Sequence, residues 1–309
     1  MSVPESRSAR RHPRRSAREA AGDVSGAGPT GPTGSPRRKP SRAGRNLPAA
    51  IAVGVALGAV IVVSLLTRKE LMLGVIAIAV VAGVWELRRA LAHVRIRVPL
   101  VPTAVGGVSM LGSAYVRGGE ALVVTLGLTC VGILLWRIAD GVLDAARDIA
   151  GGFFTAVYPS FLAGFAVLLL AADDGAARLF VFILVTVLSD VGGYAAGVLL
   201  GRHPMAPTVS PKKSWEGFAG SVLACVVGGA IAVPYALGGP WWGGAVLGAC
   251  AAVAATVGDL TESTVKRDLG IKDMSAILPG HGGIMDRLDS LLLVAPVAWA
   301  LLAVFVPAA

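Results

Sequence analysis

The chain has 309 residues, of which 55% are hydrophobic and only 15% are charged. A soluble domain averages about 25% charged residues, so this composition excludes an ordinary soluble protein and predicts a membrane protein. The formal net charge is +9, but residues 1–46 hold eleven Arg or Lys and three acids, which is +8 of that total. The high pI therefore describes a tail, and we expect no nucleic-acid partner.

Residues 1–46 form the first predicted element, a basic tail without apolar periodicity. The tail is rich in Arg, Ser, Pro and Gly, a composition that cannot bury enough apolar surface to fold. We expect it to be disordered and cytoplasmic. There it either sets the orientation of the first helix or contacts anionic lipid head groups.

Nine apolar segments of about spanning length follow the tail. They predict an all-α, polytopic integral membrane protein with transmembrane helices near 47–66, 71–87, 99–116, 121–138, 151–171, 178–200, 217–237, 241–258 and 290–307. We divide these helices into an N-terminal group, 47–188, and a C-terminal group, 189–309, because the second group carries the polar segments that suit a catalytic site.

The charges between the predicted helices indicate which loops face the cytoplasm. With the tail inside, the inner loops carry thirteen Arg or Lys residues and the outer loops carry four. This difference is the positive-inside bias of membrane proteins. It predicts a cytoplasmic N-terminus in the cell membrane. It also predicts that the long polar loops 201–216 and 259–289 lie on the cytoplasmic side, where nucleotides are found.

The segment 258–290 concentrates charge in a protein that otherwise avoids it. It holds six acids, four bases and one His. Asp259, Glu262 and Lys266 are spaced so that a helix would present them on one face. Carboxylates clustered with Lys and Arg suit Mg²⁺ or Mn²⁺ bridging a polyphosphate, because hard cations prefer oxygen ligands and share them with phosphates.

The second half of this segment repeats the pattern beside a glycine-rich turn. Asp286 and Asp289 are again three residues apart, and the turn at 279–283 has the sequence Pro-Gly-His-Gly-Gly. Successive backbone N–H groups in such turns can form an anion-binding nest. The turn alone is weak support for a phosphate site, but its acidic and basic neighbours strengthen it.

The segment 189–217 is the other polar stretch with chemical potential. Asp190 lies inside an apolar span, where an ionisable group is costly and therefore a functional candidate, and Tyr194 lies one turn further on the same face. Small residues repeat every four positions in this helix, which permits close helix packing and would allow a homodimer. They are Gly193, Gly197 and Gly201.

Two adjacent cations, Lys212 and Lys213, stand in a Pro-containing turn, 210–214, just before a predicted helix. Helix N-termini and Lys side chains both attract phosphate. This placement favours a phosphate-binding role for the turn.

Taken together, the two polar segments resemble the phosphatidate cytidylyltransferase (CDP-diacylglycerol synthase) family. The first segment fits the pattern D-x-x-x-Y…G-R…S-P-K-K-[ST]-x-E-G through Asp190, Tyr194, Gly201, Arg202, 210–214, Glu216 and Gly217. The second segment fits the C-terminal signature of the family through Ser263, Lys266, Arg267, Lys272, Asp273, Ser275, Leu278, Pro279, His281, Gly282, Gly283, Asp286, Arg287 and Asp289. The resemblance covers about 189–290.

The resemblance implies a reaction and its participants. CTP and phosphatidic acid would give CDP-diacylglycerol and pyrophosphate in phospholipid biosynthesis, with Mg²⁺ or Mn²⁺ as cofactor and room for a second metal or a monovalent cation. The lipid phosphate would attack the α-phosphorus of CTP, so the protein mainly positions two anions and neutralises their charge. Membrane lipids are the remaining expected partners.

The resemblance also implies roles for individual residues. The catalytic set is Asp259, Asp286, Lys266, Arg267 and His281, where His281 is either a proton or hydrogen-bond donor to pyrophosphate or a structural turn residue. The metal ligands are Asp259 and Asp286, followed by Asp190, Glu262 and Asp289. The substrate-binding set is Tyr194, Ser210, Lys212, Lys213, Ser263, Lys272, Gly282, Gly283 and Arg287.

Three alternatives remain open at this stage. A transporter would suit nine helices with an intramembrane Asp, although transporters place their sites near the midplane between repeated halves, and no repeat is visible here. A related CTP-dependent enzyme acting on a polyprenol or ether-lipid phosphate would share the same head-group chemistry. A catalytically inactive scaffold is disfavoured, because no position of the signature is lost.

Overall fold

Helices form nearly all of the described chain. The computed structural model describes residues 47–141, 143–275, 277 and 282–307, with side chains from residue 52 onward. A π-helical segment, Ala156–Phe161, joins two of the α-helices end to end, so that Ala145–Ala171 is one continuous helical rod. The helices are α1 (Leu47–Thr67), α2 (Lys69–Ala92), α3 (Leu100–Arg117), α4 (Gly119–Asp140), α5 (Ala145–Thr155), α6 (Leu162–Ala171), α7 (Gly175–Leu200), α8 (Trp215–Leu237), α9 (Trp241–Asp268) and α10 (Met285–Phe305).

The number and type of the helices agree with the sequence. The described ranges contain nine helical rods, and seven of them are long and apolar enough to cross a membrane: α2, α4, the rod Ala145–Ala171, and α7 to α10. A helix satisfies its backbone hydrogen bonds within its own segment, as hydrocarbon surroundings require. The polytopic all-α prediction is confirmed. The tail 1–46 lies outside the described residues, and the cytoplasmic orientation of the N-terminus stays a prediction.

The helix ends around the polar segments differ from the predicted ends. Helix α9 continues to Asp268 instead of ending near 258, and α10 begins at Met285 instead of near 290. The predicted loop 259–289 is therefore reduced to 269–284. Hydropathy marks where a segment can be surrounded by lipid, whereas a helix can extend past that point into a polar environment with its backbone ladder intact.

A short β-hairpin stands where a turn was predicted before α8. Strand β1 (Pro204–Ala206) pairs antiparallel with β2 (Ser210–Ser214). Glu216 stabilises the base of the hairpin, because its carboxylate accepts hydrogen bonds from the backbone N–H groups of Arg202 (3.0 Å) and His203 (3.2 Å). Ser214 then caps α8, because its hydroxyl accepts a hydrogen bond from the Gly217 N–H at 3.1 Å, as N-cap serines do.

The C-terminal helices pack in chain order, α7 on α8, α8 on α9 and α9 on α10. Small residues allow α7 and α8 to approach closely: a Cβ on Gly192 would lie 2.5 Å from the Ala224 Cβ, and Gly197 faces Gly217. The glycine stripe of α7 is therefore used within the chain. Because α7 runs unbroken from Gly175 to Leu200, the division at residue 188 falls inside a helix.

Candidate active site

A cleft with charged residues in its lining lies where the C-terminal part of α7, the β-hairpin, the start of α8 and the middle of α9 meet. Its volume is about 410 Å³. The predicted site residues Asp190, Tyr194, Ser210, Lys212, Lys213 and Asp259 line it, together with Ser189, Gly193, Gly197, Val198, Met205, Ser214, Gly217, Phe218, Ser221, Ala255 and Thr256. The structure thus brings residues from both polar segments to one cavity.

An ion pair joins the two segments across this cleft. The Lys213 ammonium lies 2.5 Å from the Asp259 carboxylate, so that β2 is tied to α9. A second link is the hydrogen bond from Arg267 Nε to the Val209 carbonyl at 3.3 Å. These contacts place the hairpin against the polar end of α9.

Glu262 and Lys266 meet on one face of α9, as their spacing predicts. The Lys266 ammonium lies 2.6 Å from the Glu262 carboxylate and 2.8 Å from that of Asp286, and both carboxylates are buried. Lys266 therefore joins α9 to the first turn of α10. On the same helix, the Ser263 hydroxyl donates a weak hydrogen bond of 3.4 Å to Asp259.

The backbone before α10 holds the second oxygen of Asp286. Asp286 Oδ2 accepts hydrogen bonds from the N–H groups of Met274 (3.0 Å) and Gly283 (2.8 Å). Gly282 has φ +83, a conformation that glycine adopts without strain. The glycine-rich turn was predicted to offer its N–H groups to an anion, and in the described part of the turn the Gly283 N–H binds the Asp286 carboxylate.

The remaining predicted residues differ in exposure. Lys212, Lys272 and Arg287 are exposed, and Tyr194 is 75% exposed on the wall of the cleft. Asp289 lies in α10, near Asp259 and Glu262. His281 lies outside the described residues, so both interpretations of this residue remain open.

Glu86 is a buried acidic residue near the site that the sequence reasoning missed. It lies in α2, and its carboxylate accepts hydrogen bonds from the Ser275 hydroxyl and from the backbone N–H groups of Ile284 and Met285. A usable signal was present: Glu86 is the only charged residue in the predicted span 71–87. The rule that singled out Asp190, an ionisable group inside a span, applies equally to it.

Tyr158 is a second buried polar residue beside the acidic cluster. It lies in the π-helical segment, within electrostatic range of Asp259, Glu262 and Asp289. Its hydroxyl is buried and has no hydrogen-bond partner among the described residues. A tyrosine in an apolar run carries no sequence signal that would have selected it.

The acidic side chains near Lys266 are oxygen donors, the ligand type that a hard divalent cation prefers. The clustered groups are carboxylates, and the buried Oε1 atom of Glu262 has no hydrogen-bond partner among the described residues. Within those residues, no three Asp, Glu, His or Cys side chains are arranged together as metal ligands. Mg²⁺ commonly takes only one or two carboxylates, with water and substrate phosphates completing its shell, so a complete protein cage is not required.

The fold and the cleft define a polytopic α-helical membrane protein with a charged site at the polar ends of its C-terminal helices. Comparison with known proteins identifies the family within this class. A model of the cytidylyltransferase family matches residues 48–305. The chain belongs to this family and is a nucleotidyltransferase, so the transporter interpretation is set aside.

Several curated relatives match the chain over most of its length. The phosphatidate cytidylyltransferase of Mycobacterium bovis is 38% identical over 280 residues, which cover 86% of this chain and 92% of that protein. The enzyme of the same name from Mycobacterium leprae is 39% identical over 277 residues, or 84% of this chain and 89% of its own. A shorter match, to the phosphatidate cytidylyltransferase of Brucella suis, is 37% identical over 150 residues, which cover 47% of this chain and 56% of that protein.

Proposed function

We propose that this chain is a phosphatidate cytidylyltransferase, which converts CTP and phosphatidic acid to CDP-diacylglycerol and pyrophosphate. The observation that carries the proposal is the Lys213–Asp259 ion pair, which joins the two family-like segments across one cleft. Relatives with this activity in their name match the chain nearly end to end.

The reaction is a displacement at phosphorus between two anions. An oxygen of the lipid phosphate attacks the α-phosphorus of CTP, and the bond from that phosphorus to the oxygen bridging to the β-phosphate breaks. Pyrophosphate leaves with the bridging oxygen. Because the nucleophile is already charged, the protein contributes mainly positioning and charge neutralisation.

The cleft suits a nucleotide in both size and charge. Its volume of about 410 Å³ lies within the range of about 300–1,000 Å³ that is usual for small-molecule sites. Lys212 and Lys213 line it, and Arg267 stands at the end of α9 beside the hairpin. These cations would bind the CTP phosphates, with the exposed Lys272 and Arg287 available to CTP or to the lipid phosphate.

A divalent metal, Mg²⁺ or Mn²⁺, is part of the proposal. Asp259 and Asp286 would hold it, with Asp190, Glu262 and Asp289 as further ligands. When bound, it would neutralise charge on the phosphates of the substrate. The Oε1 atom of Glu262 supports Glu262 as one of these ligands, because it is buried and has no hydrogen-bond partner among the described residues, which is costly for a carboxylate oxygen.

We place the site at the cytoplasmic face of the cell membrane. The support is the positive-inside bias of the loops and the need of the enzyme for CTP. The acyl chains of the lipid would enter sideways between helices while CTP arrives from the cytoplasm. A homodimer also stays a prediction, and the glycine stripe of α7 gives it no support, because that stripe packs on α8.

The test is an assay of the purified protein with CTP labelled at the α-phosphate. Phosphatidic acid, a polyprenyl phosphate and an ether-linked phosphatidate are compared, each with Mg²⁺ and with EDTA. We expect a labelled lipid and equimolar pyrophosphate with phosphatidic acid and Mg²⁺. Label only in another lipid would replace phosphatidic acid as the substrate, and no label in any lipid would overturn cytidylyl transfer.

A further inference from the structure

Glu86 connects α2 to the middle and to the C-terminal end of the loop that precedes α10. Its Oε1 atom accepts hydrogen bonds from the Ser275 hydroxyl (2.5 Å) and from the Ile284 N–H (3.0 Å). Its Oε2 atom accepts one from the Met285 N–H (2.8 Å). The middle of the loop and its C-terminal end are thus held by one carboxylate from a helix about 190–200 residues away in sequence.

The surroundings of Glu86 suit a carboxylate, because the groups that contact it are hydrogen-bond donors. Glu86 has no exposed surface, and burying such a group is costly unless it is hydrogen-bonded. All three of its partners are donors, and two of them are backbone N–H groups at the start of α10, where the helix dipole favours negative charge. A glutamine of the same shape would turn one acceptor into a donor that faces donors.

The atoms held by Glu86 are next to those that hold Asp286. Met274 and Gly283, whose N–H groups bind Asp286 Oδ2, directly adjoin Ser275 and Ile284 in the chain. The contact is also close enough to explain the glycine at 283, because a Cβ there would lie 2.6 Å from Glu86 Oε2. A shift of this backbone would therefore move Asp286 relative to Lys266.

We propose that Glu86 is a positioning residue for the reaction. It fixes the start of α10 and the loop before it, so that Asp286 and Lys266 keep the geometry that cytidylyl transfer needs. The inference rests on the proposed function. Glu86 acts through Ser275 and the backbone at 284–285 and does not line the cleft.

Glu86→Gln is the main test variant, and Glu70→Gln is its matched control. Glu70 lies at the other end of α2, is exposed and accepts one hydrogen bond, from Tyr115. For Glu86→Gln we expect kcat to fall about tenfold or more, since displacements of about 1 Å in a site can cost about 100-fold. KM for CTP should change by less than about threefold, because the cleft is untouched. Glu70→Gln should match the wild type.

Hydrogen exchange of residues 282–290 gives a readout that does not depend on turnover. In Glu86→Gln at least one of the amides of Ile284 and Met285 should exchange about tenfold faster or more, because glutamine keeps only one of the two acceptor oxygens. Exchange in α4 should stay unchanged. A kcat within about threefold of the wild type, or unchanged exchange at 284–285, would overturn the positioning role.

Ser275→Ala covers the case in which Glu86→Gln folds poorly, and a double-mutant cycle tests whether the two residues act together. Ser275→Ala removes one donor at a half-buried position and should lower kcat by less than Glu86→Gln does. If Ser275 works through Glu86, adding Ser275→Ala to Glu86→Gln should cost nothing more; fully additive effects would contradict the proposal. If the wild-type protein has no activity, the proposed function is refuted. The contact of Glu86 with the start of α10 is still tested in that case, because the exchange experiment does not need turnover.

Discussion

Replacing Lys266 with Met tests the charge balance of the site, because the ammonium contacts two buried carboxylates. The side chains of Glu262 and Asp286 are 0% and 5% exposed, and that of Lys266 is 15% exposed. Removing one partner of a buried ion pair costs about 3–5 kcal/mol, since the other charge stays buried and uncompensated. The partial exposure of Lys266 favours the lower end, about 3 kcal/mol.

This cost can be measured by thermal unfolding of the purified protein in one detergent. At about 2–4 °C per kcal/mol for a chain of this size, Lys266→Met should lower Tm by about 6–12 °C and abolish CDP-diacylglycerol formation. Adding Glu262→Gln removes one of the stranded charges and should recover part of the loss in Tm without restoring activity. An unchanged Tm in Lys266→Met would refute the buried ion-pair network.

Three further predictions concern the other charged groups. Lys213→Met should change stability by less than about 1 kcal/mol, because its pair with Asp259 is partly exposed, while kcat/KM for CTP falls about tenfold or more; a normal kcat/KM would remove Lys213 from CTP binding. Asp286→Asn should keep the protein folded, because the amide oxygen can still accept from Met274 and Gly283, but lower kcat by about 100-fold; near-normal turnover would remove Asp286 from the metal site. EDTA should stop turnover and Mg²⁺ should restore it, and metal-independent turnover would contradict the charge-neutralisation mechanism.

The helices could be predicted from sequence because each is specified by an apolar run within its own segment. Long apolar runs need no partner to identify them, and the i, i+3, i+7 spacing placed Asp259, Glu262 and Lys266 on one face before the extent of α9 was known. Their ends were less predictable, since a hydropathy window stops at the first charged cluster and the helix does not. The β1 strand, three residues long, is too short to leave any alternating pattern.

Long-range contacts explain what the sequence could not reveal. The resemblance indicated that 190–217 and 259–289 form one site, but it could not show that Lys213 pairs with Asp259 rather than with another acid. Nor could it connect Glu86 to Met285, because nothing in a single sequence links positions 199 residues apart. The unusual position of Glu86 in an apolar span was visible, and only its partners were hidden.

The charged residues of the site separate into two groups with different physical roles. Glu86, Glu262 and Asp286 are buried and are held by donors from the protein itself. Asp190 and Lys212 are exposed along the cleft, where a ligand can reach them. Substitutions in the first group should therefore lower stability and activity together, or lower activity by changing the geometry of the site. Substitutions in the second group should weaken substrate binding with little change in stability. Lys266 belongs to the first group and Lys213 to the second, so the same Lys→Met substitution should lower stability clearly at position 266 and hardly at all at position 213.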